Sequence, residues 1–438
     1  MFEWEHGSLG ELANGVRGVS YTPNQLQSLI SPETVILLRS NNIRDGKVNF
    51  DNIQLIPSHI VSKGQLAKHD DIAVCMSNGS KALVGKSGRI VGNAAPCTVG
   101  AFCSIFRPFP HADGKFVSYI LQSNAYRRHL DIILAGSAIN NLKNSDVEAL
   151  PLEIPPKEEQ RLIARILDTL DTQIQKTEAL IAKLEKVKEG LLHDLLTRGI
   201  DDSGRLRPSP EQAPELYKES VLGPIPKSWD ISTVGEVAEP LVGPAFESSR
   251  FTGSSQGVRL LRGLNVTRGR VRWEESKTER WPSNDPSVSR YALNEGDIVV
   301  GMDGALVGKN KAILTGEDVP SLLVQRVIRL RSNPADGTYL YMNICSDRFL
   351  SHIDNVKTHT AIPHITSGNV CDFIVPSPPP QEVERVTKIY KSLEKKTRVY
   401  RSQLSKLSAD KAGLMDDLLT GRVRVTPLLD QAQATSPA

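Results

Sequence analysis

The stretch Pro155–Arg198, PPKEEQRLIARILDTLDTQIQKTEALIAKLEKVKEGLLHDLLTR, constrains this chain most. Two prolines open it, which suits the start of a helix but not its interior. Glu158 and Glu159 follow, where the positive end of the helix dipole favours acid. Apolar residues then recur in alternating steps of four and three: Ile163, Leu167, Leu170, Ile174, Ile181, Leu184, Leu191 and Leu195. Thr177 and Lys188 fill the gaps in that series. This is a coiled-coil heptad. At ~1.5 Å per residue, about 40 residues make a rod of roughly 60 Å. Such a seam needs a partner helix.

The partner lies in the same chain. Adding 223 to each number gives Val386, Tyr390, Leu393, Thr397, Tyr400, Leu404, Leu407, Lys411, Leu414 and Leu418. The seam recurs, lysine included. The prolines recur as Pro378 and Pro379, and the end GLLHDLLT (Gly190–Thr197) recurs as GLMDDLLT (Gly413–Thr420). The shift extends beyond the helices. VILLRSNNIRDGKVNF (Val35–Phe50) aligns with VRLLRGLNVTRGRVRW (Val258–Trp273), and ALVGK occurs at both Ala82–Lys86 and Ala305–Lys309. Ala138-Ile139 meets Ala361-Ile362. Near the start, WEHGSLGELA from Trp4 matches WDISTVGEVA from Trp229 under a shift of 225. The chain is one unit written twice, each a globular domain followed by a long helix.

Inside each globular unit the patterns are short and mixed. VILLRS, DDIAVCM (Asp70–Met76) and FCSIFRP (Phe102–Pro108) read as strands, as do VRLLRG, GDIVVGM (Gly296–Met302) and VQRVIRLRS (Val324–Ser332). Asp45-Gly46 marks a turn. Phe116–Ile133 and Tyr339–Val356 read as helices. The expected order is a first domain over 1–154, a helix over 155–198, a linker over 199–227, a second domain over 228–377, a second helix over 378–422 and a flexible tail over 423–438. The fold class is α+β: two similar mixed α/β domains separated by a long antiparallel two-helix coiled coil, with an internal pseudo-two-fold repeat. Trp4 and Trp229 are expected in the two cores. Lys188 and Lys411 either fix the register of the seam or snorkel to its edge.

Net charge is +3 over 438 residues, so charge alone does not announce a nucleic-acid binder. No apolar run is long enough to cross a membrane, and no signal peptide is evident. Five cysteines without a CxxC fit a reducing cytoplasm. No HExxH and no paired His and Cys suggest a metal. No NPPF or DPPY loop and no FxGxG-type turn suggest a methyltransferase. Gly79–Ser87 has five residues between its glycines where a phosphate-binding loop has four. A stand-alone enzyme is therefore not expected.

Two copies of one domain held apart by a rod suit a split DNA site. They also suit a scaffold that binds two copies of a protein. Lys81, Lys86 and Arg89 flank the first glycine turn, and Lys309 and Lys311 the second. They are candidates for phosphate contact, or else solvated turn lysines. Arg262, Arg268, Arg270 and Arg272 line a strand pair, with alternate arginines on one face. Domains that read different half-sites must differ at base edges and share what grips phosphate. That makes Lys86 and Lys309 phosphate candidates and Arg326 a base-reading candidate.

The chain resembles the specificity (S) subunits of type I restriction–modification systems. The resemblance rests on PPKEEQRLIARIL (Pro155–Leu167), its copy PPPQEVERVTKIY (Pro378–Tyr390), KESVLGPIPKSWD (Lys218–Asp230) and the GALVGK turn (Gly304–Lys309). The segments SAINNLKNSDVEALPLEIPP and TAIPHITSGNVCDFIVPSPP before the helices also fit. The first domain lacks a KxSxxGxIP lead, and Val383 stands where the first helix has Gln160. The resemblance implies that 1–154 and 228–377 are target recognition domains, each reading half of a bipartite site in double-stranded DNA. It implies that the helices set the spacer and dock two modification (M) subunits, which methylate adenine, and that restriction (R) subunits join for cleavage. No cofactor is implied in this chain; S-adenosylmethionine, ATP and Mg belong to the partners. No membrane is implied, and the location is cytoplasmic.

Overall fold

The computed structural model describes residues 4–92, 95–135 and 140–429. The chain divides into two compact units, Met1–Ala179 with Arg401–Ala438, and Leu180–Tyr400. Ala138-Ile139, matched to Ala361-Ile362 in the sequence, lies outside the described residues.

The first unit opens with β1 (Glu5–Ser8), β2 (Ala13–Arg17), β3 (Thr34–Leu38), the hairpin β4 (Ile43–Arg44) and β5 (Gly46–Val48), and β6 (Gln54–Pro57). It continues with β7 (Ile72–Cys75), β8 (Ser87–Arg89), β9 (Cys97–Val99), β10 (Cys103–Pro108), α1 (Gly114–Ile120), α2 (Asn124–Ala135), α3 (Asn144–Glu148) and β11 (Pro151–Ile154). The helix α4 (Lys157–Thr197) follows. Six strands run in the order β2-β10-β7-β8-β5-β4, and three more in the order β6-β3-β9. The apolar run of β7 is buried throughout, as both of its faces are covered.

The second unit carries β12 (Tyr217–Lys218), β13 (Ile225–Pro226), β14 (Asp230–Thr233), α5 (Val234–Val237), β15 (Glu239–Val242) and β16 (Val258–Leu261). The hairpin β17 (Val266–Thr267) and β18 (Arg270–Val271) comes next, then β19 (Arg280–Trp281), β20 (Ile298–Gly301), β21 (Lys311–Ile313), β22 (Ser321–Leu323) and β23 (Val327–Arg331). Then come α6 (Pro334–Cys345), α7 (Asp347–Val356), α8 (Ser367–Cys371), β24 (Ile374–Ser377) and α9 (Pro380–Leu419). Its sheets run β15-β23-β20-β21 and β19-β16-β22, so the architecture of the first unit recurs.

Each expected helix before the rods is in fact two. Phe116–Ile133 is divided between α1 and α2, where the Tyr126 backbone N–H donates to Ser123 Oγ at 3.1 Å. Tyr339–Val356 breaks at Ser346, whose hydroxyl caps α7 by accepting from the Phe349 N–H. A serine that offers its side chain to the backbone starts a new helix more readily than it continues an old one.

Within each unit the two long helices run antiparallel. In the first, Ile163, Ala164 and Leu167 from the start of α4 share a core with Leu418 and Leu419 from the end of α9. In the second, Leu195 and Leu196 from the end of α4 meet Val383, Val386 and Tyr390 from the start of α9. The seam lysines do not snorkel free. Lys411 Nζ lies 2.6 Å from Asp171 Oδ1, and Lys188 Nζ lies 2.8 Å from Glu394 Oε1. Burial works against the Lys188 ammonium, but the Glu394 and Glu185 carboxylates outweigh it and raise its pKa.

A buried carboxylate fastens the start of each rod. Glu382, almost wholly buried, accepts from the Trp229 indole at 3.0 Å, from the Ile200 N–H at 2.9 Å and from Arg207 through both oxygens. Its repeat partner Glu159 accepts from Trp4 at 3.2 Å, Arg424 at 3.2 Å and Thr426 at 3.3 Å. Trp229 is fully buried, whereas Trp4 is only half-buried beneath the Arg424 guanidinium, 4.9 Å from its ring. Each long helix ends at a glycine packed on the tryptophan of the same unit. A Cβ at Gly199 (φ +62°) would fall 2.3 Å from Trp229, and one at Gly421 (φ +71°) 3.0 Å from Trp4. Only glycine accepts that left-handed backbone without a steric cost.

This fastening corrects two readings of the sequence. Residues 199–227 are not a bare linker: they hold β12 and β13, and Ile200, Ala213, Tyr217 and Ile225 are buried. The tail expected from 423 is docked as far as 429. Val425 is 2% exposed and belongs to the first unit's core, with Arg424 on Glu159. Residues 430–438 of that tail lie outside the described residues. Pro, Ser and Gly content marks both segments as irregular, which is not the same as loose.

Candidate nucleic-acid interface

The hairpins and glycine turns singled out in the sequence come together in each unit. In the second, Val266 pairs with Val271 and Thr267 with Arg270, so Arg268-Gly269 forms the turn. The Gly269 N–H donates to the Lys311 carbonyl at 2.9 Å, which seats the hairpin on β21. The turn between β20 and β21 carries Lys309, and its Gly304 N–H donates to the Pro363 carbonyl at 3.0 Å. Arg326 stands at the head of β23, its carbonyl accepting from the Met302 N–H at 2.9 Å.

The first unit repeats this frame. Ile43 pairs with Val48 and Arg44 with Lys47 around Asp45-Gly46, both with positive φ. The buried Asn42 and Asn265 each tie their hairpin through the side-chain amide, though to carbonyls at different offsets. The Asn42 amide donates to the Asp51 carbonyl at 2.8 Å, and the Asn265 amide to the Arg272 carbonyl at 3.0 Å. The shared LVGK has a packing reason too. A Cβ on Gly85 would lie 1.9 Å from Leu130, and one on Gly308 2.7 Å from its counterpart Ile353.

The ten candidate cations separate into different environments. Lys81, Arg268, Arg270, Arg272 and Lys309 are exposed and form no ion pair among the described residues. Arg268 lies in the turn, so the three hairpin arginines do not share one face of a strand as expected. Arg262 and Arg326 reach toward Glu279 and Asp303 at 3.8 Å, a loose contact that leaves their donors available. Lys86 donates to the Ser40 carbonyl at 3.2 Å and is half-buried, so its role differs from that of Lys309. Arg89 is held by Asp70 at 2.8 Å with 15% of its side chain exposed. Lys311 is the clear correction. It is buried, donates to the Gly308 carbonyl at 3.1 Å and lies 5.1 Å over the Phe349 ring. Burial pushes its pKa down. It orders the turn that carries Lys309 and does not face a ligand.

Arg44 and Lys47, both exposed on the first hairpin, were missed. The signal was present, since Lys47 falls on Arg270 under the shift of 223. Cations that survive unpaired on one frame in both units form an electrostatic footprint for a polyanion. We therefore expect Lys309→Ala to weaken DNA binding alike on all sequences. It should flatten the salt dependence by about 0.9 in log–log slope, as loss of one phosphate contact does. Lys86→Ala should change that slope less. Binding titrations over a salt series measure both. Equal slope changes would contradict the different placements.

A family profile described as "Type I restriction modification DNA specificity domain" matches residues 1–186. The specificity subunit of the type I restriction enzyme EcoKI, from Escherichia coli strain K12, is 27% identical over 303 residues, 68% of this chain and 60% of its own length. This chain thus spans about 60% of that relative. The MjaVIII specificity subunit of Methanocaldococcus jannaschii is 28% identical over 303 residues, 67% of each chain. The crystal structure of the type I restriction–modification S subunit from M. genitalium shares the fold, with a TM-score of 0.56 at 16% identity, over 95% of this chain and 96% of that one. Among the described residues, no helix is long and apolar enough to cross a membrane. Residues 1–186 thus match the DNA specificity domain of type I restriction–modification systems, and over about two thirds of its length the chain is similar in sequence to their specificity subunits.

Proposed function

We propose that this chain is a non-catalytic DNA-reading subunit. Each globular domain reads one half of a bipartite site for methyltransferase partners that modify adenine and for restriction partners that cleave. S-adenosylmethionine, ATP and Mg belong to those partners. One observation carries the reading: the same hairpin-and-turn frame occurs twice, with unpaired cations on it and different side chains around it. A shared frame suits phosphate, which is the same at every base pair; divergent surroundings suit bases. The test is genome-wide mapping of N6-methyladenine in the host with and without this gene. A bipartite methylated motif should vanish with the gene and return with it. If methylation is unchanged and the purified chain binds only protein, the domains form a scaffold instead. The purified chain alone should show no methyl transfer, nuclease or ATPase activity.

A further inference from the structure

Strand register locates one position where the two domains diverge at the centre of the shared frame. In the first unit Cys103 pairs with Cys75, and in the second Val327 pairs with Gly301. The next residue on the inner strand is a methionine in both cases. Met76 N–H donates to the Phe102 carbonyl at 2.8 Å, and Met302 N–H donates to the Arg326 carbonyl at 2.9 Å. Phe102 and Arg326 are therefore equivalent, each the last turn residue before its strand. The shift of 223 would place Phe102 on Gln325, so the sequence alone hides this match.

Both side chains face solvent. Phe102 is 72% exposed, and 62% of the Arg326 side chain is exposed. A single exposed phenyl is ordinary on a surface. Its counterpart, however, is an arginine at φ +67°, a backbone that disfavours any residue with a Cβ. The chain keeps a bulky, outward side chain at both sites, and at one of them against local backbone preference. Each site adjoins the start of its glycine turn, where the frame carries its free lysine.

We propose that Phe102 and Arg326 are specificity-determining residues that each contact a base edge in their own half-site. The inference rests on the DNA-reading role proposed above. The chemistry of the two differs as it must. A guanidinium reads O6 and N7 of guanine through two hydrogen bonds, whereas a phenyl ring has only apolar contact to offer, such as the methyl group of thymine. The two halves of the site would then differ at equivalent positions, guanine against an apolar base edge.

The test uses the complete complex of this chain with its methyltransferase partner, acting on a library randomised across both half-sites. Both residues are exposed, so truncation should leave the fold intact, which circular dichroism checks. Arg326→Ala is expected to lower discrimination at one base pair of one half-site by roughly 10- to 100-fold, the range of a bidentate contact. Phe102→Ala is expected to relax one base pair of the other half-site by roughly 10-fold, the scale of a small apolar contact. Arg326→Lys should keep part of the guanine preference. Uniform weakening across all sequences would make both residues backbone contacts and overturn the proposal. So would unchanged preferences in variants of a complex that is otherwise sequence-specific. If the unaltered complex shows no sequence preference, the DNA-reading role itself fails, an outcome distinct from the other two.

Discussion

Exchanging the first globular domain for that of a related chain is expected to change one half of the methylated sequence and leave the other half as it was. The effect should be all-or-none, because the cores do not mix. Among the described residues, three clusters around Phe106, Ile105 and Leu37 belong to the first unit. Four others, around Ile328, Val386, Leu261 and Trp281, belong to the second. The structure also indicates where to cut. Ile163, Ala164, Leu167, Leu418, Leu419 and Val425 pack in the first domain's own core. An exchange of 1–150 alone leaves these six against a foreign surface, and a poorly fitted apolar contact costs about 1–3 kcal/mol. A chimera that also carries 151–179 and 401–429 should be the more stable. Methylome sequencing of both chimeras reads the outcome. A change in both half-sites, or in neither, would show that the domains do not read independently.

Glu382→Ala is expected to destabilise the second unit by about 3–5 kcal/mol, as removal of one member of a buried ion pair does. The loss strands the Arg207 guanidinium, which the carboxylate holds above its usual pKa, along with the Trp229 indole and the Ile200 N–H. Arg207→Ala should cost a similar amount by exposing the carboxylate to burial without its partner. Replacing both residues with methionine should recover most of the loss, because an apolar pair of similar volume needs no compensating charge. Glu159→Ala in the first unit should cost less. Its arginine is 31% exposed, against 15% for Arg207. Hydrogen exchange resolved by peptide is the suitable measurement, since a chain of two units need not unfold in one step. Equal losses of protection in both units after Glu382→Ala would contradict this local account.

The features legible in the sequence were those with a period or a repeat. The heptads of α4 and α9 announce themselves, because a buried stripe must recur with the helix turn. Strands such as Ile298–Gly301 are legible because they are short, apolar and bounded by turns. Burial of single charged residues is not legible in the same way. Lys311 and Lys309 look alike in the sequence, yet the first opens β21 and is buried, whereas the second lies in the turn before that strand and stays exposed. Arg89 reads as a free cation until Asp70, distant in sequence by 19 residues, is seen to hold it. Val425 reads as tail because one apolar residue beyond a helix carries no pattern. Arg326 is a candidate in the sequence, but Phe102 is not, because short insertions move it off the common shift and only strand pairing restores its equivalence to Arg326.

The seam ion pairs have a consequence for helix direction. Asp171 and Lys188 are 17 residues apart, and so are their repeats Glu394 and Lys411. Side by side and pointing the same way, in register, the two helices would set lysine against lysine and acid against acid. Two like charges about 4 Å apart repel by about 4 kcal/mol in a partly wet protein environment. Reversing one helix turns both clashes into the observed Lys411–Asp171 and Lys188–Glu394 attractions. A near-identical apolar stripe cannot tell the two directions apart. The placement of one base and one acid on each copy can, and it rejects the parallel arrangement at both places at once.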